Sequence, residues 1–233
     1  MLHFVGIGAQ KAGTTWLYEM LRQHPEISFP AGKEVHYWDK HRHRGLSWYR
    51  ALFDVQDGHM HGEITPAYSS LPREVVAEVA NALPDLKMML IMRNPIDRAW
   101  SAARMVLHRE SRDPDEVPDE WFVGQFRDPD SLARGDYETC IRNWRSAFPD
   151  DRLLVLTFDQ LAADPAGLLA RCLEHLGVES GAVSAMRGLG TPVHAGDARP
   201  LRPSLRAELR ALYSDRIRSL ARYLGADFGS WMG

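Results

Sequence analysis

The stretch FVGIGAQKAGTTWLYEML, from Phe4 to Leu21, decides the fold. A short apolar run leads into a glycine-rich turn between Gly8 and Gly13, and an amphipathic segment follows two threonines. A strand, a small-residue loop and a helix start in this order aim a row of backbone N–H groups at an anion, which the helix dipole also favours. Lys11 adds a positive charge to the loop. The stretch therefore predicts a phosphate-binding loop at the start of an α/β fold.

The position of the lysine distinguishes this loop from a nucleotide triphosphatase P-loop. That P-loop reads G-x-x-x-x-G-K-[ST], with the lysine directly after the second glycine. Here Lys11 lies two residues before Gly13, and Thr14 fills the position after it. The loop is therefore expected to bind a phosphate-like group, but not Mg-ATP in the usual way. A P-loop-type ATP-dependent kinase or phosphotransferase stays open as the alternative.

The bulk composition is that of an ordinary globular chain. Its 233 residues are 45% hydrophobic and 25% charged, with a formal net charge of −3, and we expect one domain over residues 1–233. This charge makes nucleic acid and anionic membranes poor default partners. The two cysteines, Cys140 and Cys172, lie in helix-like patterns and suit a reducing compartment. With no long apolar run and no leader pattern, we expect a soluble, cytoplasmic protein.

Strand and helix patterns alternate along the chain. Continuous apolar runs at Lys87 to Met92 and at Leu153 to Phe158 are typical of buried parallel strands. Helical spacing recurs over residues 14–23, 73–82, 96–108, 134–148, 165–176 and 204–224. The alternation predicts a P-loop-like three-layer α/β/α fold with a central parallel sheet of about four to five strands. Residues 109–131, rich in Asp, Glu and Pro, are predicted to form an acidic loop or lid with room for a short helix at 119–127.

The second informative stretch is RNPIDRAWSAARM, residues 93–105. It follows a buried strand, and ligands of open α/β sheets bind at the carboxyl ends of the strands. The strand end carries Arg93, a fork-shaped phosphate donor, and Ser101 and Arg104 follow on the helix. The pattern indicates a second phosphate bound without a metal. The other interpretation, in which Arg93 and Arg98 are surface charges at a helix start, stays open.

Together GAQKAGTTWL and RNPIDRAWSAARM resemble the two cofactor motifs of sulfotransferases that use 3′-phosphoadenosine-5′-phosphosulfate (PAPS). KEVHYWD at residues 33–39 and GEITPAYS at residues 62–69 resemble segments of the heparan-sulfate-type branch of that family. Residues 134–165 also follow the pattern of that branch. The resemblance runs in order over roughly residues 4–176.

The resemblance implies a cofactor site for PAPS and its product PAP, without a metal. Lys11 would contact the bridging oxygen and the 5′-phosphate, whereas Arg93 and Ser101 would hold the 3′-phosphate. The implied cofactor-binding residues are Gln10, Lys11, Ala12, Gly13, Thr14, Thr15, Trp16, Arg93, Ser101 and Arg199. Trp16 is expected either near the adenine or in the core, and both interpretations stay open. The loop at residues 191–200 departs from the branch, since His194 and Arg199 are its only candidate contacts.

On the acceptor side the resemblance implies Glu34 as the general base. His36 is a second candidate for this role, because imidazole side chains titrate near neutral pH. The implied catalytic residues are Lys11, Glu34 and His36, and the implied acceptor-binding residues are Lys33, Glu34, His36, Tyr37, Glu63 and Tyr68. From the residues alone, Lys33 and Glu34 could equally form a solvated surface ion pair with no catalytic role.

These observations predict a sulfotransferase that moves the sulfuryl group of PAPS to a hydroxyl or amine by in-line displacement. The net charge of −3 favours a neutral small metabolite or glycoside over a polyanion as the acceptor. The departure at residues 191–200 also speaks against a strict glycosaminoglycan enzyme. A non-catalytic nucleotide-binding module is a third hypothesis, disfavoured by the presence of both Lys11 and Glu34.

Overall fold

Five parallel strands form the centre of the part of the chain that the structure describes. The structure is a computed structural model, and it describes residues 1–181, 183, 186–191 and 199–232. The strands are β1 (Leu2–Gly8), β2 (Ile27–Ser28), β3 (Met60–Ile64), β4 (Lys87–Met92) and β5 (Leu153–Thr157). Their order is β2-β3-β1-β4-β5, and every neighbouring pair is parallel. The predicted parallel α/β fold is confirmed.

Helices connect the strands, as parallel pairing requires. They are α1 (Thr14–Leu21), α2 (Leu46–Ala51), α3 (Arg73–Ala82), α4 (Pro95–Arg109), α5 (Asp119–Arg127), α6 (Pro129–Ala133), α7 (Tyr137–Arg145), α8 (Phe158–Ala163), α9 (Pro165–Leu176) and α10 (Pro203–Leu224). Local chemistry sets the bounds of several of them. The Asn94 side chain caps α4 by accepting from the Ile96 amide at 3.0 Å. Asp164 caps α9, which ends at the left-handed Gly177.

The core lies on both faces of the sheet. Strand β4 shows this most clearly, because Met88 to Met92 are each at most 1% exposed whichever face they point to. A strand that alternates its side chains between two faces is buried throughout only when both faces are covered. Among the described residues no helix is both long and apolar enough to cross a membrane.

The acidic segment at residues 109–131 is helical over much of its length, so the prediction of a loop there was wrong, whereas its role as a lid stays a prediction. Two helices, α5 and α6, fill most of it, and the predicted short helix at 119–127 is confirmed as α5. A distant arginine holds the segment: Arg202 donates to the carbonyl oxygens of Pro114 at 2.5 Å and Val117 at 2.9 Å and pairs with Asp119. These contacts bind the acidic segment to the start of α10.

The path of the chain brings several loops to one edge of the sheet. From β1 the chain builds the β2 and β3 side, then crosses over β1 to β4 and β5. In the register Gly6 lies opposite Ile64, and Gly8 lies opposite Leu90, so β3, β1 and β4 end near one another. This crossing is the type of position at which open α/β sheets bind ligands.

Candidate active site

The loop between β1 and α1 presents backbone donors at the carboxyl edge of the sheet. Gly13 is the N-cap residue of α1, with a φ of 90°. Because glycine has no side chain, the helix start carries no side-chain cap. A Cβ at Gly13 would lie 2.6 Å from Cδ2 of Leu161, so a larger residue there would require this side chain to shift. Ala12 and Thr14 are buried, whereas Gln10, Lys11 and Thr15 are partly exposed. The first amides of α1 are therefore available to an anion.

Lys11 and Arg93, which belong to two neighbouring loops, place two positive charges at this edge. The Arg93 guanidinium donates to the Lys11 carbonyl oxygen at 3.1 Å and lies 4.8 Å from the centre of the Phe158 ring. Among the described residues, neither Lys11 nor Arg93 has a carboxylate within ion-pair distance. Burial lowers the pKa of Lys11, and the charges of nearby arginines, Arg93 first, lower it further. An anion bound here would favour the charged form of Lys11 and so act against both effects.

Helix α4 carries the remaining predicted phosphate-binding residue. Ser101 lies in the second turn of α4 and is partly exposed. Arg104, one turn later, holds its guanidinium carbon 5.4 Å from the centre of the Trp100 ring, and its charge is among those that lower the pKa of Lys11. Arg98, in contrast, is fully buried and donates to the Ser131 carbonyl oxygen at 2.9 Å. The surface-charge interpretation of Arg98 was therefore wrong.

The loop that follows β2 carries a row of alternating charges. Glu34 accepts from the Lys33 ammonium at 2.5 Å, and its other oxygen lies 3.3 Å from Nε2 of His36. Nδ1 of His36 lies 2.9 Å from a carboxylate oxygen of Asp39. Burial raises the pKa of Glu34, but the hydrogen bonds and charges of Lys33 and His36 outweigh it, and the net pKa is lowered. The Glu34 carboxylate is thus ionised at neutral pH, although 43% of its side chain is exposed.

The backbone is left-handed at three of the predicted catalytic residues. Lys11, Glu34 and His36 have φ values of 67°, 68° and 56°. Ser111 is the one other non-glycine residue with positive φ in the described part of the chain. Such conformations cost on the order of 1–3 kcal/mol each and concentrate at functional sites. The catalytic roles of Lys11, Glu34 and His36 stay predictions.

Three predicted acceptor-binding residues lie in the interior. Glu63 and Tyr68 are 0% exposed and Tyr37 is 4% exposed. The Glu63 carboxylate accepts from the hydroxyls of Tyr49, Thr65 and Tyr68. Neither Glu63 nor Tyr68 has exposed surface for an acceptor, so direct contact by them stays a prediction that their burial does not support.

Trp16 and Arg199 are both engaged within the protein. Trp16 is 5% exposed, and its indole N–H donates to the Leu189 carbonyl oxygen at 2.9 Å. Arg199 pairs with Asp113 and lies 3.3 Å from a carboxylate oxygen of Asp115. Their cofactor contacts stay predictions, and His194 lies outside the described residues.

Two side chains that contact predicted site residues were not singled out from the sequence. Asp39 was quoted within KEVHYWD without a role, although its spacing of three residues from His36 on a helical turn permits their contact. Nothing in the sequence indicates a role for Tyr49, because its hydroxyl, on α2, reaches Glu63 only in the folded chain. Among the described residues no cluster of His, Cys, Asp and Glu is arranged to hold a metal ion.

Comparison with known proteins assigns this architecture to a family. The model of the sulfotransferase domain matches residues 3–187. The chain is similar to heparan sulfate glucosamine 3-O-sulfotransferase 3A1 of Mus musculus, with 32% identity over 181 residues, which cover 74% of this chain and 45% of the mouse protein. The match thus spans less than half the length of that relative.

Solved structures show the same fold. The crystal structure of a sulfotransferase from Alicyclobacillus acidocaldarius matches with a TM-score of 0.78 and 25% identity, covering 100% of this chain and 99% of that one. The mouse sulfotransferase SULT7A1, solved with PAP, matches with a TM-score of 0.62 and 16% identity, covering 96% and 87%. The domain match and the curated relative show that the chain belongs to the sulfotransferase family.

Proposed function

We propose that this chain is a PAPS-dependent sulfotransferase that acts on a hydroxyl or amine of a small metabolite or glycoside, with residues 1–233 as one domain. The observation that carries the proposal is the pair of partly buried cations, Lys11 and Arg93, that have no carboxylate partner in the described chain. They flank the uncapped start of α1, where a phosphate is favoured. A relative named for heparan sulfate glucosamine supports a carbohydrate among the acceptors to be tested.

The donor set fits a bisphosphorylated cofactor. The first amides of α1 and Lys11 would hold the 5′ side, and Arg93 with Ser101 would hold the 3′-phosphate. Bound PAPS would supply an activated sulfuryl group whose S–O bond to the 5′-phosphate breaks on transfer. Lys11 stabilises negative charge that develops on the leaving phosphate, as fixed cations do in phosphoryl transfer.

The acceptor side supplies the proton acceptor. The ionised Glu34 would accept the proton that the acceptor's hydroxyl or amine loses when it takes up the sulfuryl group. Lys33 at 2.5 Å and His36 at 3.3 Å orient the Glu34 carboxylate. Asp39 fixes the His36 ring from the other side. Positioning of the two reactants then contributes much of the rate.

A ligand comparison tests the cofactor. At 100 times its dissociation constant PAP stabilises the fold by about 2.7 kcal/mol, and Mg-ATP at the same concentration should stabilise it far less. For a chain of this size that corresponds to a melting shift of roughly 5–11 °C. A larger shift with Mg-ATP than with PAP would favour a P-loop kinase or phosphotransferase and refute the proposal.

A turnover assay tests the chemistry. PAP release is measured with PAPS and a panel of sugar, phenol, alcohol and amine acceptors. Lys11→Ala should abolish turnover, whereas Lys40→Ala, which removes an exposed lysine, serves as the charge-matched control. Wild-type rates in Lys11→Ala would exclude the assigned role, and PAP binding without turnover of any acceptor would favour a non-catalytic nucleotide-binding module.

A further inference from the structure

A buried carboxylate lies directly beneath the loop that carries Glu34 and His36. Glu63, in β3, is 0% exposed, and no cation of the described chain lies within ion-pair distance of it. Its Oε1 accepts from the hydroxyls of Tyr49 and, at 3.0 Å, Tyr68. Its Oε2 accepts from the Thr65 hydroxyl at 2.7 Å and from a backbone amide of the loop. A buried charge without a counter-ion is expensive unless hydrogen bonds satisfy it.

The donors to Glu63 also hold the loop. The amide of Val35 donates to Glu63 Oε2 at 3.3 Å. The amide of His36 donates to the Thr65 hydroxyl at 3.3 Å, and the amide of Tyr37 donates to the Tyr68 hydroxyl at 2.9 Å. Three consecutive loop amides thus reach Glu63, the first directly and the next two through one hydroxyl each.

The direction of each proton follows from this arrangement. A hydroxyl has one proton to donate, and those of Thr65 and Tyr68 each accept from a loop amide while donating to Glu63. A carboxylate that only accepts is the partner that satisfies all of these bonds together. A carboxamide at position 63 would replace one of the two acceptor oxygens by an NH₂ group. That NH₂ group would then face groups that are themselves donors.

We propose that Glu63 is a positioning residue that holds the segment from Glu34 to Tyr37 in the conformation that presents the catalytic carboxylate. Glu34 and His36 have left-handed backbones, with φ values of 68° and 56°. This conformation is unfavourable for residues other than glycine. The Glu63 network supplies the bonds that keep this strained segment in place. The catalytic meaning of the inference rests on the proposed function, but the hold on the loop does not.

Two pairs of matched variants separate positioning from general stability. Tyr49→Phe and Tyr68→Phe each remove one buried hydroxyl that donates to Glu63 Oε1, but only Tyr68 also accepts from a loop amide. Thr65→Val removes the second link to the loop, and Thr65→Ser keeps its hydroxyl. Glu63→Gln retains the size of the side chain and replaces an acceptor oxygen by a donor.

The first measurement is amide hydrogen exchange, which needs no substrate. Tyr68→Phe should speed exchange of the Tyr37 amide by a few-fold to about tenfold, the loss of one hydrogen bond. Thr65→Val should do the same for the His36 amide, with rescue in Thr65→Ser. Tyr49→Phe should lower the melting temperature without changing exchange in the loop. Equal exchange in Tyr49→Phe and Tyr68→Phe, together with wild-type exchange in Thr65→Val, would overturn the inference.

The second measurement is turnover against cofactor affinity. Glu63→Gln, Tyr68→Phe and Thr65→Val should lower kcat by about tenfold to 100-fold, because misplacement of reacting groups has effects of that size. The dissociation constant for PAP should stay within about twofold of wild type, since the amides proposed to hold the phosphate belong to the start of α1 and not to residues 35–37. Wild-type kcat in all three variants would refute the catalytic part. Absence of turnover in the wild-type protein would refute the proposed function instead, and exchange would still decide whether Glu63 holds the loop.

Discussion

Replacement of Arg93 by alanine should separate binding from folding at the cofactor edge. In the free protein the side chain makes a hydrogen bond to the Lys11 carbonyl oxygen at 3.1 Å and lies 4.8 Å from the centre of the Phe158 ring. Such contacts contribute about 0.5–1.5 and about 0.5–1 kcal/mol respectively at partly exposed sites. The fold should therefore lose roughly 1–2.5 kcal/mol, which is about 2–10 °C in melting temperature.

Arg93→Ala should also weaken PAP binding, by a free energy somewhat larger than the loss of folding stability. Charge-assisted hydrogen bonds from a guanidinium to a phosphate are worth about 1.5–3 kcal/mol, so the dissociation constant should rise by roughly 10- to 160-fold. Arg93→Lys keeps the charge but not the fork and should recover part of the affinity. Arg210→Ala, which removes an exposed arginine from α10, is the matched control.

Calorimetric titration with PAP, at a temperature where both proteins are folded, measures this effect. The salt dependence of binding should also weaken in Arg93→Ala, since one phosphate contact is lost. A variant that melts several degrees lower yet binds PAP within about threefold of wild type would refute the reasoning. Arg93 would then serve only to fix the Lys11 loop.

Three further outcomes are expected. The acid limb of kcat/KM should lie below pH 4.5, because the pKa of Glu34 is lowered from its ordinary 4.5. A limb near neutrality would instead move the role of base to His36. Gly13→Ala should lower the melting temperature by at least about 4 °C, since a left-handed alanine and a 2.6 Å approach to a packed leucine cost roughly 2 kcal/mol or more; an unchanged melting curve would show that the loop relaxes. Burial raises the pKa of both Cys140 and Cys172, the latter to about 12, so neither thiol should react with an aromatic disulfide at pH 8 until the chain is unfolded, and fast labelling of native protein would contradict their burial.

Local chemistry predicted the elements whose signals lie within their own residues. The run KMMLIM is apolar at every position but its first, which a strand covered on both faces requires, and it is β4. The helix over residues 165–176 begins at a proline and ends before Gly177, and its bounds are those of α9. The glycine-rich loop between Gly8 and Gly13 was also predicted from its own residues, and both glycines have positive φ, but nothing in the sequence predicted the φ of 67° at Lys11.

Features set by distant partners could not be predicted in this way. Residues 109–131 look like a polar loop because the contacts that order them come from Arg202, far along the chain. Glu63 and Tyr68 were expected to face an acceptor, because a polar motif near a site gives no sign of its depth. Their burial depends on packing by α2 and its Tyr49, which only the folded arrangement reveals.

The contiguity of the acceptor-side loop and its support has an evolutionary consequence. Glu34, His36 and the side chains that hold them all belong to one uninterrupted run, residues 33–68, whereas the proposed phosphate contacts come from the segments before and after it. A recombination that exchanges this run between homologues would transfer the strained loop together with its own scaffold. A change in acceptor selectivity could therefore be transferred by exchanging residues 33–68 as one segment, while the proposed cofactor residues on either side stay the same.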